Sequence, residues 1–261
     1  MKALSIAATG MLSQQLNVEV ISNNIANLNT TGFKRQRAEF QDLLYQNVER
    51  VGATSSDAGT VNASGIQVGV GVKAGAVYRV TEQGNLISTD NSYDMAVNGR
   101  GMFRVQLPNG QDAFTRAGSF QLSPQGQLVT AKGFIVQPGI SIPQDGVDVS
   151  INTQGEVAVK LDGQVIPQIV GRLELSLFPN EAGLESIGEN LFLETPASGP
   201  ANIGVPDTPG FGQVVQGFLE TSNVNAVHEI TNLITAQRAY EMNSRVIAAA
   251  DEMLSAATSL K

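Results

Sequence analysis

One glycine-rich segment has the spacing of a dinucleotide-binding turn. Residues Gly69 to Ala74 read Gly-Val-Gly-Val-Lys-Ala, which matches the pattern G-x-G-x-x-G/A. That chemistry requires a helix that begins at the motif and points its N-terminus at the pyrophosphate. The residues that follow, 76–80, read Ala-Val-Tyr-Arg-Val, which is typical of a strand that ends in a turn. We therefore interpret these glycines as part of a β segment and predict no dinucleotide cofactor.

The other candidates for catalysis or metal binding are one histidine and a scattered set of aspartates. His228 has only Glu229 beside it, and no serine or cysteine lies in a recognisable nucleophile elbow, so we interpret it as a polar helix residue. A glycosidase needs a carboxylate pair, but aspartates next to Asn, Gly or Ser more often serve turns. The aspartates considered are Asp90, Asp94, Asp112, Asp145 and Asp148. The sequence therefore predicts no enzyme, no cofactor and no metal site.

Composition excludes several classes of protein. The 261 residues carry a formal net charge of −8, and only 15% of them are charged, against about 25% in typical domains. The acidic balance disfavours nucleic acid as a partner. The absence of cysteine excludes disulfides and thiolate catalysis. No apolar run approaches the ~20 residues of a membrane span, so direct membrane insertion is not predicted.

The start of the chain resembles a signal peptide only superficially. It carries one positive charge and a short apolar stretch. Ser5, Thr9 and Gly10 interrupt that stretch, and its apolar residues belong to a longer repeat. We expect that no signal peptide is cleaved here, and that the segment stays attached if the protein leaves the cytosol.

Glycine and proline divide the chain into helical ends and a β middle. All ten prolines lie between Pro108 and Pro209, and most of the 27 glycines lie between Gly65 and Gly217. Both residues are excluded from helix interiors and collect at turns. Gln-Gly pairs recur before apolar residues, and Asn109-Gly110 and Asp162-Gly163 are hairpin signals. The pattern predicts an antiparallel, barrel- or sandwich-like β domain over residues 68–211, and hence an α+β fold.

Both ends of the chain carry a seven-residue apolar repeat. Such a repeat is the mark of helices that wind around other helices. We therefore predict a helix over 1–30 and another over 226–261, which pair as a coiled-coil-like unit and join copies of the chain. The predicted self-assembly residues are Leu4, Met11, Val18, Ile21, Ile25 and Leu28 at the start, and Leu233, Tyr240, Ile247 and Leu254 at the end.

The first helix has too few charges for an ordinary water-facing surface. Its first thirty residues include only Lys2 and Glu19 as charged side chains, and its outer face carries uncharged Ser, Asn and Gln. That face suits a close-packed array of helices, although a polar surface without charges is the alternative. Ordering a residue costs about 1–2 kcal/mol of backbone entropy. Within one molecule, the burial of two thin apolar stripes barely offsets this cost. We expect both ends to be largely disordered in the free monomer and helical on assembly.

A connector is predicted between the first helix and the β domain. It spans 31–67, together with 212–225, and Gly32 is a plausible left-handed cap. A partly helical spacing, which predicts a short helix, links Phe33, Phe40, Leu43, Leu44 and Val48. The stretch 46–65 is rich in small residues and reads as an extended loop, or as a segment that orders against a partner. Lys34, Arg35 and Arg37 form a small basic cluster that suits either a subunit contact or a solvated loop.

The end of the first helix and the turn after it identify a family. The block that contains Asn27, Thr31, Gly32, Phe33 and Lys34 resembles the signature segment of the bacterial flagellar rod and hook proteins. Further stretches, at 36–46, 184–191, 220–225 and 237–241, are similar to the distal-rod members of that family in particular. The resemblance runs from one end of the chain to the other.

The resemblance implies a structural role. In that family the terminal helices pair as the innermost layer of a helical tube, and β domains form outer layers. Subunits leave the cell unfolded through the flagellar type III gate without a cleaved signal and assemble in the periplasm as part of the basal body. The rod transmits torque from the motor to the hook. Implied partners are further copies of the chain, other rod proteins, the hook protein and the surrounding ring proteins, and the loop 46–65 is implied to brace neighbouring subunits.

Two alternatives remain open from the sequence. One is a proximal-rod or hook subunit of the same family, which the loop 46–65 would distinguish from a distal-rod subunit. The other, from a different class, is an exported β-domain enzyme or carbohydrate binder with helical tails. A cleft lined by paired carboxylates in the β domain would favour that second alternative.

Overall fold

Two long helices lie near the ends of the chain in the computed structural model, which describes residues 2–49, 65–143, 145–163 and 166–259. Helix α1 spans Lys2–Ala26 and helix α2 spans Ala226–Ser259. Asn225 begins α2, since its Oδ1 accepts a hydrogen bond from the His228 backbone N–H at 3.2 Å, as an N-cap does. The helical ends predicted from the distribution of glycine and proline are therefore confirmed.

Helix α1 ends earlier than the repeat predicts. After Ala26 the chain turns, and the Thr30 N–H donates to the Asn27 carbonyl at 3.2 Å. Leu28 lies in this turn, so the prediction that it continues the helical stripe is wrong. The asparagine-rich sequence explains the difference, because Asn side chains compete for the backbone groups that a helix would use.

The strands are short and numerous. From β1 to β20 in chain order, the strands within the described residues are Gln36–Asp42, Tyr45–Glu49, Ile66–Gly69, Val72–Arg79, Leu86–Ser88, Met95–Asn98, Met102–Gln106, Asp112–Thr115, Phe120–Leu122, Leu128–Thr130, Ile135–Val136, Gly146–Ile151, Glu156–Leu161, Gln168–Arg172, Leu175–Leu177, Glu185–Gly188, Leu191–Leu193, Asn202–Gly204, Gln213–Gln216 and Phe218–Glu220. One short 3₁₀ helix, Glu181–Gly183, lies among them.

The chain divides into two compact units. The helical unit is formed by the described residues within Met1–Ile25, Gln36–Tyr78 and Asn225–Lys261. The β unit is formed by the described residues within Ala26–Arg35 and Arg79–Val224. The N-terminal and C-terminal parts of the chain thus meet in each unit.

In the helical unit, α1 and α2 lie antiparallel. The Asn24 side chain near the end of α1 bonds to Glu229 near the start of α2, and Gly10 near the start of α1 lies beside Asn243 farther along α2. A Cβ on Gly10 would lie 2.9 Å from the Asn243 amide nitrogen, so the helices approach closely there. Two two-stranded sheets, β1 with β4 and β2 with β3, complete the unit.

The short helix predicted around Phe40 and Leu43 is wrong, because the structure has strands β1 and β2 there. Along β1, half-buried Ala38 and Phe40 alternate with exposed Arg37 and Glu39. That alternation has the two-residue period of a strand, and pairing with β4 satisfies the backbone. Of the predicted loop 46–65, residues 50–64 lie outside the described part of the chain.

The β unit is built from open antiparallel sheets. The largest has nine strands, in which the path β16-β17-β8-β7-β11-β10-β9 also carries β15 and β18. A three-stranded sheet of β12, β13 and β14 packs on the same core. Among the largest fully buried side chains are Phe103, Phe120, Leu128, Leu175, Val105 and Val136. The antiparallel β prediction is confirmed. The described residues do not form a closed barrel, because the terminal strands of their main sheet do not pair with each other.

The hairpin signals in the sequence are confirmed. Gly110 lies between β7 and β8 with φ +82°, and Gly163 lies between β13 and β14 with φ +78°. Left-handed φ values are accessible to glycine at little cost, which is why such turns select it.

Candidate assembly interface

The helices use a narrow face to contact each other. The buried apolar residues of the two helices include Ala7 and Ile21 on α1, and Ala236 and Ala250 on α2. Of the predicted self-assembly residues, Ile21 is buried and Tyr240 is 44% exposed. The others on the helices are half-buried: Leu4, Met11, Val18, Ile25, Leu233, Ile247 and Leu254. Most of the predicted residues are therefore only partly covered within one chain.

A cleft of about 360 Å³ remains between the two helices. Val18 and Tyr240, both predicted from the repeat, line it together with Gln15, Glu19 and Glu241. An open cleft between helices forfeits the dispersion contacts that close packing provides. The antiparallel pair is therefore incompletely packed within one chain.

Helix α2 also has two apolar stripes outside the predicted heptad positions. Val227, Ile230 and Ile234 recur at intervals of three and four residues and are exposed. Farther along, Met242, Val246 and Met253 form a second exposed stripe at intervals of four and seven. Side chains at such spacing share one face of a helix. The spacing was present in the sequence, and a search for a second helical face would have found both stripes.

The few polar groups buried in the helical unit are held by specific bonds. The Asn24 Nδ2 donates to Glu229 Oε2 at 3.2 Å and to the Gln36 carbonyl at 2.8 Å. Its Oδ1 accepts from the Gln36 N–H at 2.8 Å. Asn24 thus joins α1, α2 and the first residue of β1, and the polar side chains of α1 serve internal contacts as well as the surface.

The ribbon of β2 and β3 exposes further apolar side chains. Leu44 precedes β2, and Tyr45, Val48 and Ile66 lie on the ribbon, all with at least half of the side chain exposed. A two-stranded ribbon is marginally stable by itself. Its exposed apolar side chains are available for contacts outside the unit.

The family-signature residues have a different role in the structure. They lie in the β unit, and two of them bond to Glu220, on the last strand of that unit. The Gly32 N–H donates to the Glu220 carbonyl at 2.8 Å, and the Lys34 Nζ donates to Glu220 Oε1 at 2.6 Å. The Thr31 carbonyl accepts a hydrogen bond from the Asn190 side chain at 2.9 Å. Phe33 is half-buried. Asn27 begins the preceding turn, as described above.

Glu220 is the centre of a buried ion-pair network. Its second oxygen accepts from Arg116 Nε at 2.5 Å, while Arg116 also donates to the carbonyls of Val97 at 2.8 Å and Gly99 at 2.6 Å. Lys34 donates to the Glu82 carbonyl at 2.8 Å as well. The solvated loop left open for the basic cluster does not apply to Lys34, because its charge is buried against a carboxylate of its own unit.

The network shifts the pKa values of its members. Burial alone would raise the pKa of Glu220, but the charges and hydrogen bonds of Arg116 and Lys34 outweigh it and leave that pKa below its usual range. Burial lowers the pKa of Lys34, and the bond to Glu220 opposes that shift. The carboxylate of Glu220 is therefore ionised in the folded state at neutral pH.

Lowering the pH should remove the contribution of the Glu220 carboxylate to the free energy of unfolding. Since the pKa of Glu220 is lower in the folded state, its stabilisation is present above the unfolded-state pKa of about 4.3 and is lost as the pH falls through the folded-state pKa. The gap in free energy of unfolding between the wild type and Glu220→Gln should then shrink as the pH falls from 6 towards about 3. Urea unfolding at several pH values measures this gap, and a gap that stays constant would contradict the assignment.

Gly32 is required by both its conformation and its surroundings. Its φ is +69°, and a Cβ there would lie 2.7 Å from the backbone nitrogen of Ala117. Gly110 has a similar φ of +82° but nothing within 4 Å. Gly110→Ala should thus cost only the conformational penalty of about 1–2 kcal/mol, and Gly32→Ala clearly more. Thermal unfolding of the two variants tests this, and equal losses would show that the contact with Ala117 is unimportant.

The candidates for chemistry remain scattered. Gly69 ends β3 and Ala74 lies in β4, with no helix at the motif, which confirms the interpretation as β structure. His228 is exposed on α2 and its ring bonds to Asn232. Asp94 accepts from Thr89 at 2.8 Å within a turn. Within the described residues no cluster of His, Asp and Glu has the arrangement of a metal site, and no helix is long and apolar enough to cross a membrane.

Three family models match the chain. The model for the flagellar hook protein FlgE/F/G D1 domain matches residues 96–159. The model for the C-terminal part of flagellar basal body rod FlgEFG proteins matches residues 215–260, and that for flagella basal body rod proteins matches residues 4–34. The two rod models thus cover most of both helices, and the D1 model covers part of the β unit.

Relatives match over their full length. The chain is 60% identical to the flagellar basal-body rod protein FlgG of Caulobacter vibrioides over 100% of both chains. It is 45% identical to FlgG of Borreliella burgdorferi and 36% identical to FlgG of Bacillus subtilis, each over 100% of this chain and 99% of the relative. The similarity includes both helices and the β unit.

Proposed function

Because the chain belongs to the family of flagellar basal-body rod proteins FlgG, which are structural proteins and not enzymes, we propose that it is a subunit of the distal rod. In this role, copies of the chain assemble into a rigid helical tube that transmits torque from the motor to the hook. The chain acts in the basal body of the flagellum. Assembly in the periplasm, and export without a cleaved signal peptide, are part of the proposal.

The incomplete burial of the two helices supports the proposal most strongly. Only Glu229, Ala236 and Ala250 are buried among the 34 residues of α2. Apolar side chains on other faces of the helix remain exposed, and a helix that is apolar on several faces normally has several neighbours. Copies of the same helices are neighbours of matching chemistry, in a coiled-coil-like arrangement that follows the heptad stripe.

Rigidity follows from such a lattice. Interlocked side chains are packed as densely as in a crystal, so each slip between subunits breaks many contacts at once. We further propose that the segment 46–65 braces neighbouring subunits. The exposed apolar side chains on the flanking strands β2 and β3 support this, since they offer a surface for another copy. Other rod proteins, the hook protein and the ring proteins are the remaining proposed partners.

Electron microscopy of the purified full-length chain tests the proposal directly. We expect tubes, and we expect Ile25→Asp or Leu233→Asp to abolish them and motility, because each change buries a charge at a cost of several kcal/mol. Both residues belong to the helical unit, so the β unit should keep its thermal transition in either variant. Normal tubes from both variants would show that the heptad stripes do not join subunits.

A further inference from the structure

A cleft in the β unit carries an excess of positive charge. Its volume is about 290 Å³, and we call it the cationic cleft. Its lining includes four cationic residues and two acidic ones, Lys34, Arg79, Arg100, Arg116, Glu82 and Glu181. Counting Glu220, which is paired beneath Lys34 and Arg116, the group keeps one net positive charge. This local excess stands out in a chain whose formal net charge is −8.

Arg79 is the cation whose charge is least compensated. Its guanidinium lies 4.5 Å from the centre of the Phe192 ring and donates to the Leu184 carbonyl. Among its contacts within the described residues there is no carboxylate. Burial lowers the pKa of Arg79, so part of the cost of removing this group from water is already met in the folded chain. A guanidinium in this state is prepared for a bidentate bond to an anion.

Arg100 lies at the rim of the same cleft. It reaches Glu181 at 3.4 Å, and its side chain is 66% exposed. A pair of this kind contributes little to stability, so exchange of Glu181 for another carboxylate costs little. The cleft walls also include Met102, Leu184 and Phe192, which suit the aliphatic part of an entering side chain.

We propose that the cationic cleft receives an aspartate or glutamate side chain from a neighbouring copy of the chain. The inference rests on the proposed function, because only an assembled tube presents a neighbour. Charge complementarity favours this occupant, since the chain has 24 acidic residues against 16 basic ones. The contact would hold neighbouring β units in register outside the contacts between helices.

The test uses a charge-conserving variant, Arg100→Lys, and a carbodiimide that joins an amine directly to a carboxylate. Tubes are assembled from equal amounts of unlabelled and ¹⁵N-labelled chains, treated, and analysed by mass spectrometry. We expect residue 100 to be linked to an acidic residue in peptides that combine both isotopes, because the two partners belong to different chains. Lys132, which lies 3.2 Å from Glu189, should give a link within one chain and serves as an internal control.

Two outcomes would overturn the inference in distinguishable ways. If tubes form but residue 100 links only to Glu181 of its own chain, or to nothing, the cleft has no partner and the proposed function stands. If the wild-type chain forms no tubes, the proposed function fails and the inference fails with it.

As a second readout, Arg100→Gln should raise the protein concentration needed for tube formation by about tenfold, as expected when one charged partner of an interface is removed. An equal change at Arg172→Gln, whose partner Glu156 belongs to the same chain, would contradict a specific role of the cleft.

Discussion

Glu220→Gln is expected to lower the free energy of unfolding by about 3–5 kcal/mol, because it leaves two buried cations without their carboxylate. Lys34 and Arg116 both point their charges at this side chain and are themselves buried. The amide of glutamine keeps the shape but supplies no negative charge. Urea unfolding of the full-length chain, followed by circular dichroism, measures the loss.

A matched control separates this network from ordinary ion pairs. Glu174 bonds Arg104 at 3.1 Å, but its side chain is 37% exposed. Glu174→Gln should therefore cost less than about 1 kcal/mol. If Glu220→Gln is no more destabilising than this control, the buried network does not hold the β unit together.

Ile234→Asp is expected to abolish assembly while leaving the isolated chain as stable as before. Ile234 is 46% exposed on α2, so the substitution in a single chain should change stability by no more than about 0.5 kcal/mol. In a tube that covers this stripe, the same change buries a charge and costs several kcal/mol per subunit. Sedimentation of tubes, combined with thermal unfolding of the monomer, measures both effects.

Two further variants control for position and for charge. Ile234→Leu keeps the apolar character and should assemble normally. Ile203 is 44% exposed on β18 of the β unit, and Ile203→Asp should affect assembly much less. Equal loss of assembly in both aspartate variants would mean that exposure alone, and not the helical stripe, decides the outcome.

Two of the signature residues that identify the family, Gly32 and Lys34, make close contacts within the β unit. Gly32 permits a close approach to Ala117, and Lys34 joins the network of Glu220. A substitution of Gly32 or Lys34 should therefore impair assembly through destabilisation of the folded subunit. Loss of motility by itself does not identify a residue as part of an interface.

The larger features of the fold were predictable from local sequence. Helices at both ends and hairpins at Gly110 and Gly163 follow from where glycine and proline are allowed. The helix predicted at Phe40 failed, because apolar residues seven apart fit a helix, whereas β1 takes its strand structure from pairing with β4. Local spacing cannot show this partner, because β4 begins thirty residues after the end of β1.

The buried network could not be predicted in this way. Lys34 and Glu220 are separated by 186 residues, and Arg116 and Glu220 by 104. The sequence shows three charges of ordinary type, and only the fold brings them within hydrogen-bonding distance. The exposed stripes of α2, in contrast, were readable from spacing, because helical periodicity is a local property.

We propose that sister subunits, and not the rest of the same chain, give the terminal helices most of their stability. Amide hydrogen exchange on dilute monomer and on assembled tubes tests it most directly. We expect rapid exchange over α1 and α2 in the monomer, strong protection of both in the tube, and protection of the β unit in each sample. Full protection of both helices in the dilute monomer would contradict the claim.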